Sequence, residues 1–168
     1  MYTNISRLVV SAFAGVLLMG GTAIAEDKEV DWKALKVAKL SLSEGLSAAQ
    51  KKGKPISGKF EMEDGKLQLS VYTEKEGKFS EVVVNYKNGK ISESKEINDG
   101  EDLSHSVAQD KAMAKAKKSL QAATDHALAS NKGYRALSVV PSLEQGKPIA
   151  TIVLENAAGT KTVSEKLD

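Results

Sequence analysis

Apolar residues at helical spacing open the chain beyond residue 30. The segment from Trp32 to Leu40 is predicted to be a short helix, and a clearer helix follows. Ser41 and Glu44 stand three residues apart, the capping-box arrangement that marks a helix start. One face of this helix carries Leu42, Leu46 and Ala49. Gly53 is predicted to end it, with Pro55 two residues later.

The apolar period changes to two after residue 55, which predicts strands. Three strands are predicted at Ile56–Met62, Leu67–Val71 and Phe79–Tyr86, with a short fourth strand at Lys90–Ser94. Asn88-Gly89 is expected to form a type I′ hairpin turn, whose two central positions both need positive φ. The first half of the chain is therefore predicted to be a helix followed by an antiparallel meander.

The same order of elements, a helix and then strands, is predicted again after a polar segment. Asn98–Asp102 is predicted to be a hinge, and a long helix is predicted from about Leu103 to Asn131. Alternation then resumes, which predicts strands at Tyr134–Val140 and Ile149–Asn156 and a last strand near Thr162-Val163.

The two halves also share the positions of their turn glycines. Gly53, Gly65 and Gly77 match Gly133, Gly146 and Gly159 at offsets of 80, 81 and 82 residues. We therefore predict an α+β protein of two repeated units, each a helix packed on a small antiparallel β-sheet meander. The units span residues 26–97 and 103–168, on either side of the hinge at 98–102.

Residues 1–25 are predicted to be a signal peptide. Arg7 precedes an apolar stretch of twelve residues at positions 8–19, and the small-residue pattern Ala23-Ile24-Ala25 predicts cleavage between Ala25 and Glu26. The apolar run is shorter than the roughly 20 residues that span a bilayer. We expect a periplasmic or secreted protein with no stable membrane anchor.

Composition narrows the chemistry. The chain has no cysteine, which excludes disulfides, thiolate metal sites and a cysteine nucleophile. Arg135 is the only arginine after residue 25, which argues against bidentate recognition of phosphate. Basic and acidic residues nearly balance and interleave, which argues against a nucleic-acid partner. No cofactor is predicted.

The first predicted unit resembles the PepSY domain, a small module of exported proteins. The likeness lies in Leu40-Ser41-Leu42-Ser43-Glu44, Ala48-Ala49, Gly53, the segment 60–66, Val82-Val83-Val84-Asn85 and Asn88-Gly89-Lys90-Ile91. The second unit, over residues 120–168, keeps the helix and strands without a counterpart of Asn88-Gly89. The resemblance implies an exported, non-catalytic, two-domain protein that inhibits or regulates a peptidase or otherwise acts outside the cytoplasmic membrane.

Candidate metal ligands are few. His105 follows Asp102 by three residues, and His126 follows Asp125 directly. Neither pair has a third ligand at a readable spacing, so both histidines are predicted to be ordinary surface residues. The segment Asn98–Asp102 lacks the 12-residue spacing of a calcium loop. No metal site is predicted.

The remaining charged residues are interpreted as solvated surface. Glu61, Glu63 and Asp64 alternate with apolar neighbours, which favours a half-buried strand over an acid–base pair. The lysines of the long helix have no aromatic residues beside them for base stacking; they are Lys111, Lys115, Lys117 and Lys118. No nucleophile elbow such as G-x-S-x-G is present, and no catalytic residue is predicted.

A sheet covered by one helix keeps an open face and unpaired edges, which can accept an extended peptide. Tyr72, Phe79 and Val83 are predicted on the open face as a partner surface; alternatively, the two units pack these faces together. The function predicted is a binding or regulatory protein, not an enzyme, that binds or inhibits a peptidase or another envelope protein. The alternative is a small-ligand carrier or sensor with a pocket between the units.

Overall fold

The computed structural model describes residues 30–168 of the chain. Four helices and seven strands occur in this part. The helices are α1 Trp32–Leu35, α2 Leu42–Ala49, α3 Gly100–Met113 and α4 Leu120–Ser130. The strands are β1 Lys54–Glu63, β2 Lys66–Lys75, β3 Lys78–Val84, β4 Ile91–Ile97, β5 Arg135–Glu144, β6 Lys147–Asn156 and β7 Gly159–Lys166. The predicted signal peptide and its cleavage site lie outside the described residues.

All seven strands form one antiparallel sheet in the order β4-β3-β2-β1-β5-β6-β7. The α+β class is therefore confirmed. The two predicted units meet through β1 and β5, where Gly58 pairs with Val139 and Lys59 pairs with Ser138. The expectation that their open faces pack together is wrong, because the halves join edge to edge and share a single sheet.

Helices α2 and α4 lie side by side on one face of this sheet, which we call the first face. Gly58 belongs to it: a Cβ added there would lie 3.0 Å from Leu46 of α2. Register places Val71, Val82, Val139 and Ile152 on the same face, and all four are buried. Ser43 Oγ of α2 donates to Asp125 of α4 at 2.7 Å. The capping box of Ser41 and Glu44 is present, as predicted.

Helix α3 covers part of the opposite, second face, where it contacts β1, β2, β5 and β6. The predicted single helix over 103–131 is therefore wrong, because α3 and α4 lie on opposite faces and the chain must pass round one end of the sheet between them. Leu167 holds this connection: its carbonyl accepts the backbone N–H groups of Lys117 and Lys118 at 2.6 and 3.0 Å. Helix α3 begins at Gly100, within the segment predicted to be a hinge.

Two-residue turns join the strands of the long hairpins, but Asn88-Gly89, where the sequence predicts such a turn, is not one of them. Both central residues have positive φ at Asp64-Gly65, Glu76-Gly77 and Gln145-Gly146, as a type I′ turn requires. At Asn88-Gly89 only the glycine has positive φ. The predicted two-residue turn is wrong there, because a longer loop closes through the bond from Asn85 N–H to the Lys90 carbonyl, at 2.8 Å.

The pairing registers of the two halves agree at a constant offset of 81 residues. Ser57 pairs with Tyr72 and Ser138 with Val153, in each case beside an irregularity near the start of the strand. Val71 pairs with Val82, and Ile152 with Val163, in the same relation. At the junction, Gly58 pairs with Val139, the residue 81 positions further on. Strand β7 therefore occupies the position in the second half that β3 occupies in the first half.

Candidate binding surface

Polar side chains of α3 point toward the second face of the sheet. Asp102, Ser106 and Gln109 follow one another at helical spacing on the same side of α3. Ser57 Oγ of β1 donates to Gln109 Oε1 at 2.7 Å, and both residues are buried. Among residues 30–168, the buried side-chain oxygens Asp102 Oδ1 and Ser106 Oγ have no hydrogen-bond partner. The contact between α3 and the sheet therefore includes polar groups as well as apolar side chains such as Met113, and not all of these polar groups have hydrogen-bond partners within residues 30–168.

Ionisable groups gather beneath and beside the first half of α3. Lys59 Nζ lies 2.7 Å from Glu61 Oε2, with side chains 13% and 14% exposed, and 5.8 Å from the centroid of the Tyr72 ring. Ser70 Oγ donates to Glu81 Oε1 at 2.8 Å. We call Lys59, Glu61, Ser70, Tyr72, Glu81 and Asp102 the second-face cluster.

The cluster holds more carboxylates than cations, and its pKa values reflect this. Burial raises the pKa of Glu81; the Ser70 hydroxyl opposes this, Glu61 and Asp102 raise it further, and Lys59 lowers it. Burial also raises the pKa of the Tyr72 hydroxyl, with Glu81 and Glu61 adding to the effect. The arrangement can retain a proton at Glu81 above the ordinary carboxyl range.

The residues predicted as an open partner face are largely covered. Tyr72 is 4% exposed and Phe79 is 8% exposed, while Val83 is half-buried. Register places all three on the second face with Glu81, which agrees with the predicted phase of the strands. The face does not present Tyr72 and Phe79 to a partner in this structure, because both are buried; α3 crosses this face and contacts β2, the strand of Tyr72.

Glu61 also differs from its prediction. It was expected on a solvated strand face, yet its ion pair with Lys59 and its low exposure place it within the second-face cluster. Glu63 is half-buried and Asp64 is exposed in the turn. A signal for the cluster exists in β2, where Gln68, Ser70 and Tyr72 alternate with apolar residues. These side chains carry polar groups on the face opposite the apolar core.

The sheet ends in two edge strands of different character. Strand β4 pairs with β3 through a register shift at Val83/Val84, and its central residues from Ser92 to Glu96 are all exposed. Strand β7 pairs with β6 without a register shift over Gly159–Lys166. Bulges and charged residues protect an edge from further pairing. The β7 edge is regular, and within residues 30–168 no strand pairs with its outer side.

Lysines collect at the end of the sheet where β7 finishes. Lys115 Nζ donates to the Gly146 carbonyl at 3.3 Å, Lys118 Nζ to the Lys166 carbonyl at 3.1 Å, and Lys54 Nζ to the Met113 carbonyl at 3.2 Å. We call this group the lysine rim; its members are Lys54, Lys115, Lys117, Lys118, Lys147 and Lys166. In the described part of the chain none of them lies within 4.0 Å of a carboxylate oxygen.

The rim revises the prediction for the helix lysines. Lys115, Lys117 and Lys118 lie between α3 and α4 and do not form a stripe on one long helix. Their backbone is fixed to the last residues of the sheet, which brings them beside Lys147 and Lys166. Lysines that are far apart in the sequence are thus brought together at one end of the sheet.

The two histidines lie on different helices. His126 is exposed, with Nδ1 at 2.9 Å from Glu165 Oε2 on β7, whereas His105 is half-buried on α3. Among residues 30–168 no three His, Cys, Asp or Glu side chains are grouped as metal ligands. None of the helices in this range is both long and apolar enough to span a membrane.

Comparisons with protein-family models, with curated proteins and with solved structures found no match. The surface itself is therefore the basis for a functional proposal.

Proposed function

We propose that this protein is an exported, non-catalytic binding protein that accepts an extended segment of a partner protein as an additional strand on β7. One observation carries the proposal: the outer edge of β7 is unpaired within the described residues, at the position that β4 fills on β3. Main-chain hydrogen bonds along a free edge supply affinity in this mode of recognition, and side-chain contacts supply specificity.

The constant offset between the halves identifies the pairing positions. Strand β4 pairs antiparallel with Phe79–Val84 of β3. The residues 81 positions further on are Thr160–Glu165 of β7, which pair with β6 as Phe79–Val84 pair with β2. Thr160, Thr162 and Val163 favour extended backbone. An added strand is therefore expected along Thr160–Glu165.

We also propose that the two halves are copies of one helix-plus-meander unit of the PepSY type. The shared registers, the paired irregularities near Pro55 and Ala136, and the serine caps at Ser41 and Ser119 support this. The PepSY resemblance makes an exported peptidase the partner class to test first.

Site-specific photocrosslinking in the source cells tests the proposal. A crosslinker at Ser164 of β7 should capture a partner, whereas one at Ser94, an exposed serine of the other edge strand β4, should not. Capture from both edges, or from Ser94 alone, would contradict binding at β7.

Proline substitution provides the control for strand addition. Successive N–H groups of an edge strand point alternately toward and away from its neighbour. Of Thr162→Pro and Val163→Pro, one should therefore keep the β6 pairing and its melting temperature while blocking the outer edge. The folded variant should lose the Ser164 crosslink. A folded variant that keeps the full crosslink would rule out main-chain pairing as the mode of binding.

The alternative, a small-ligand carrier, is supported by a cleft of about 240 Å³ between the two predicted units. Its walls come from Gln50, Lys54 and Pro55 on one side and from residues 113–121 on the other. Lys54, Lys117 and Lys118 would favour an anionic ligand there. Native mass spectrometry of the freshly purified protein distinguishes this function, because a carrier should retain a ligand whose mass adds to that of the chain.

A further inference from the structure

A cavity of about 300 Å³ lies at the end of β7. Its lining includes Lys147, Pro148, Ile149, Lys166 and Asp168. A cavity of about 400 Å³ occupies the equivalent place at the end of β3, lined by residues that include Lys66, Leu67, Gln68, Asn85 and Lys87. The two sets correspond one to one at the offset of 81 residues.

The two cavities differ in what borders them. The cavity beside β3 is also lined by Tyr86 of the loop that leads into β4 and by Ser92 of β4 itself. Within the described residues, the cavity beside β7 has no such segment. The residues that precede an added strand on β7 would thus enter this cavity, as the residues that precede β4 enter the other.

The cavity lining has two lysines and two acidic residues, and the lysines of the rim beside it add positive charge. Lys147 and Lys166 line the cavity, and Lys115 and Lys118 bind the carbonyls of Gly146 and Lys166 beside it. Glu144 and Asp168 are the acidic residues of the lining. Lys115 and Lys118 donate to backbone carbonyls, and within residues 30–168 no lysine of the rim lies within 4.0 Å of a carboxylate oxygen. Their charge therefore remains available to a partner.

We propose that the segment bound on β7 runs antiparallel to it and carries acidic residues at its N-terminal end, which sit in the cavity of Lys147 and Lys166. This rests on the proposed function and adds the direction and charge of the partner segment. The antiparallel direction follows from β4, which pairs with β3 in that way, as do all the neighbouring strands of the sheet. An antiparallel strand places its N-terminus at the C-terminal end of β7, beside the lysine rim.

Three synthetic peptides of matched length test this. Each contains alternating valine and threonine; the first has two N-terminal aspartates, the second has the same aspartates at the C-terminus, and the third has two N-terminal lysines. Their ends are blocked by acetyl and amide groups. Binding to the full chain labelled with ¹⁵N is followed by amide shifts and by titration.

The first peptide should shift the amides of residues 160–166 and bind about tenfold more tightly than the third, a difference of about 1.4 kcal/mol. The second should bind more weakly than the first. Substituting Lys147→Gln together with Lys166→Gln should reduce the preference for the first peptide severalfold. Lys87→Gln, at the other cavity, should leave it unchanged.

The outcomes separate the two proposals. Equal or tighter binding of the second or third peptide, with shifts still on β7, would overturn the inferred direction and charge and leave strand addition intact. Shifts confined to β4 or to the second face, or no binding by any peptide, would overturn both. Sedimentation of the unliganded chain tests whether a second copy of the chain occupies the β7 edge. If the chain is a dimer and Val163→Pro or Thr162→Pro makes it a monomer, a second copy pairs with β7, and the proposal of an acidic partner segment is overturned.

Discussion

Ser57 of β1 donates a buried hydrogen bond of 2.7 Å to the side-chain carbonyl of Gln109, and this bond joins the central strand of the sheet to α3. Gln109 is 4% exposed and Ser57 is fully buried. Helix α3 also carries buried oxygens, at Asp102 and Ser106, that have no partner in the described part of the chain. This pair is a buried polar link between α3 and the sheet, beside apolar contacts such as that of Met113.

The first prediction concerns that pair. Ser57→Ala should destabilise the protein by about 1–3 kcal/mol, because it leaves Gln109 buried with an unpaired carbonyl. The double variant Ser57→Ala with Gln109→Leu should lose less than the two single variants together, since no polar group is then stranded. Urea unfolding measures each free energy, and Ser142→Ala on exposed β5 surface is the control. Strict additivity of the two substitutions would show that the pair does not act as a unit.

The second prediction concerns pH. Burial raises the pKa of Glu81, so the folded protein retains a proton that the unfolded chain releases near its ordinary carboxyl value of 4.5. The stability linked to this group is complete below 4.5 and is lost as the pH rises through the folded-state pKa. The free energy of unfolding should therefore fall with rising pH over that window.

Glu81→Gln should remove this component and raise stability at neutral pH, because the amide keeps an acceptor for Ser70 without the charge. Glu93→Gln on exposed β4 is the matched control and should leave the pH profile unchanged. Urea midpoints measured from about pH 5 to about pH 8 give the comparison. If Glu81→Gln lowered stability at neutral pH, the carboxylate would be shown to be the favoured form.

The strands and most turns follow from local patterns, whereas the partners of α3 do not. Alternation in β2 and β6 and the turn glycines Gly65 and Gly146 predict the hairpins because period two and positive φ are local properties. The break between α3 and α4 has no such signal. Ala114–Lys118 has good helix propensity, and the long-range bonds to the Leu167 carbonyl override it.

The same limit applies to the candidate surface. The phase of Tyr72 and Phe79 is predictable, yet α3, which contacts the strand of Tyr72, arrives from the β4 edge of the sheet. The pairing of β1 with β5 joins residues 81 positions apart, and no local pattern specifies it. Within residues 30–168, the unpaired edge of β7 follows from that topology and becomes visible only when the strand order is known.

The third prediction distinguishes two structural reasons why a position is occupied by glycine: lack of space for a Cβ, and a backbone with positive φ. Gly53 was interpreted as a helix stop, but its φ is not positive; a Cβ there would lie 2.6 Å from the Glu74 carbonyl oxygen of β2. Gly146 has φ +78 and no atom within 4 Å of an added Cβ. Gly53→Ala should cost about 1–3 kcal/mol through overpacking against backbone. Gly146→Ala should cost about 1–2 kcal/mol through its left-handed conformation.

Asparagine distinguishes the two causes. Because asparagine tolerates the left-handed region, Gly146→Asn should recover much of the loss seen with alanine. Gly53→Asn should recover nothing, since its Cβ meets the same carbonyl. Thermal melts of the four variants, with Lys52→Ala as the exposed control, decide the matter. Recovery by asparagine at position 53 would restore the helix-stop interpretation.

The last prediction concerns Leu167, which holds the lysine rim in place. Its side chain is fully buried, its N–H donates to the Pro148 carbonyl at 3.0 Å, and its carbonyl accepts from Lys117 and Lys118. Leu167→Ala should cost about 2–5 kcal/mol through the cavity it creates. Leu143→Ala should cost under about 0.5 kcal/mol, because Leu143 is 39% exposed and lies outside the core.

A local effect should accompany the global one. Because the backbone of Lys117 and Lys118 is bound to Leu167, amide hydrogen exchange in residues 114–119 should accelerate in Leu167→Ala more than exchange in β2. If the preference of the β7 cavity for an acidic segment depends on the position of the lysine rim, Leu167→Ala should weaken that preference. The pairing of β7 with β6 should stay intact in this variant. Uniform acceleration across the sheet would show that Leu167 serves the core alone, and that the rim is held by other contacts.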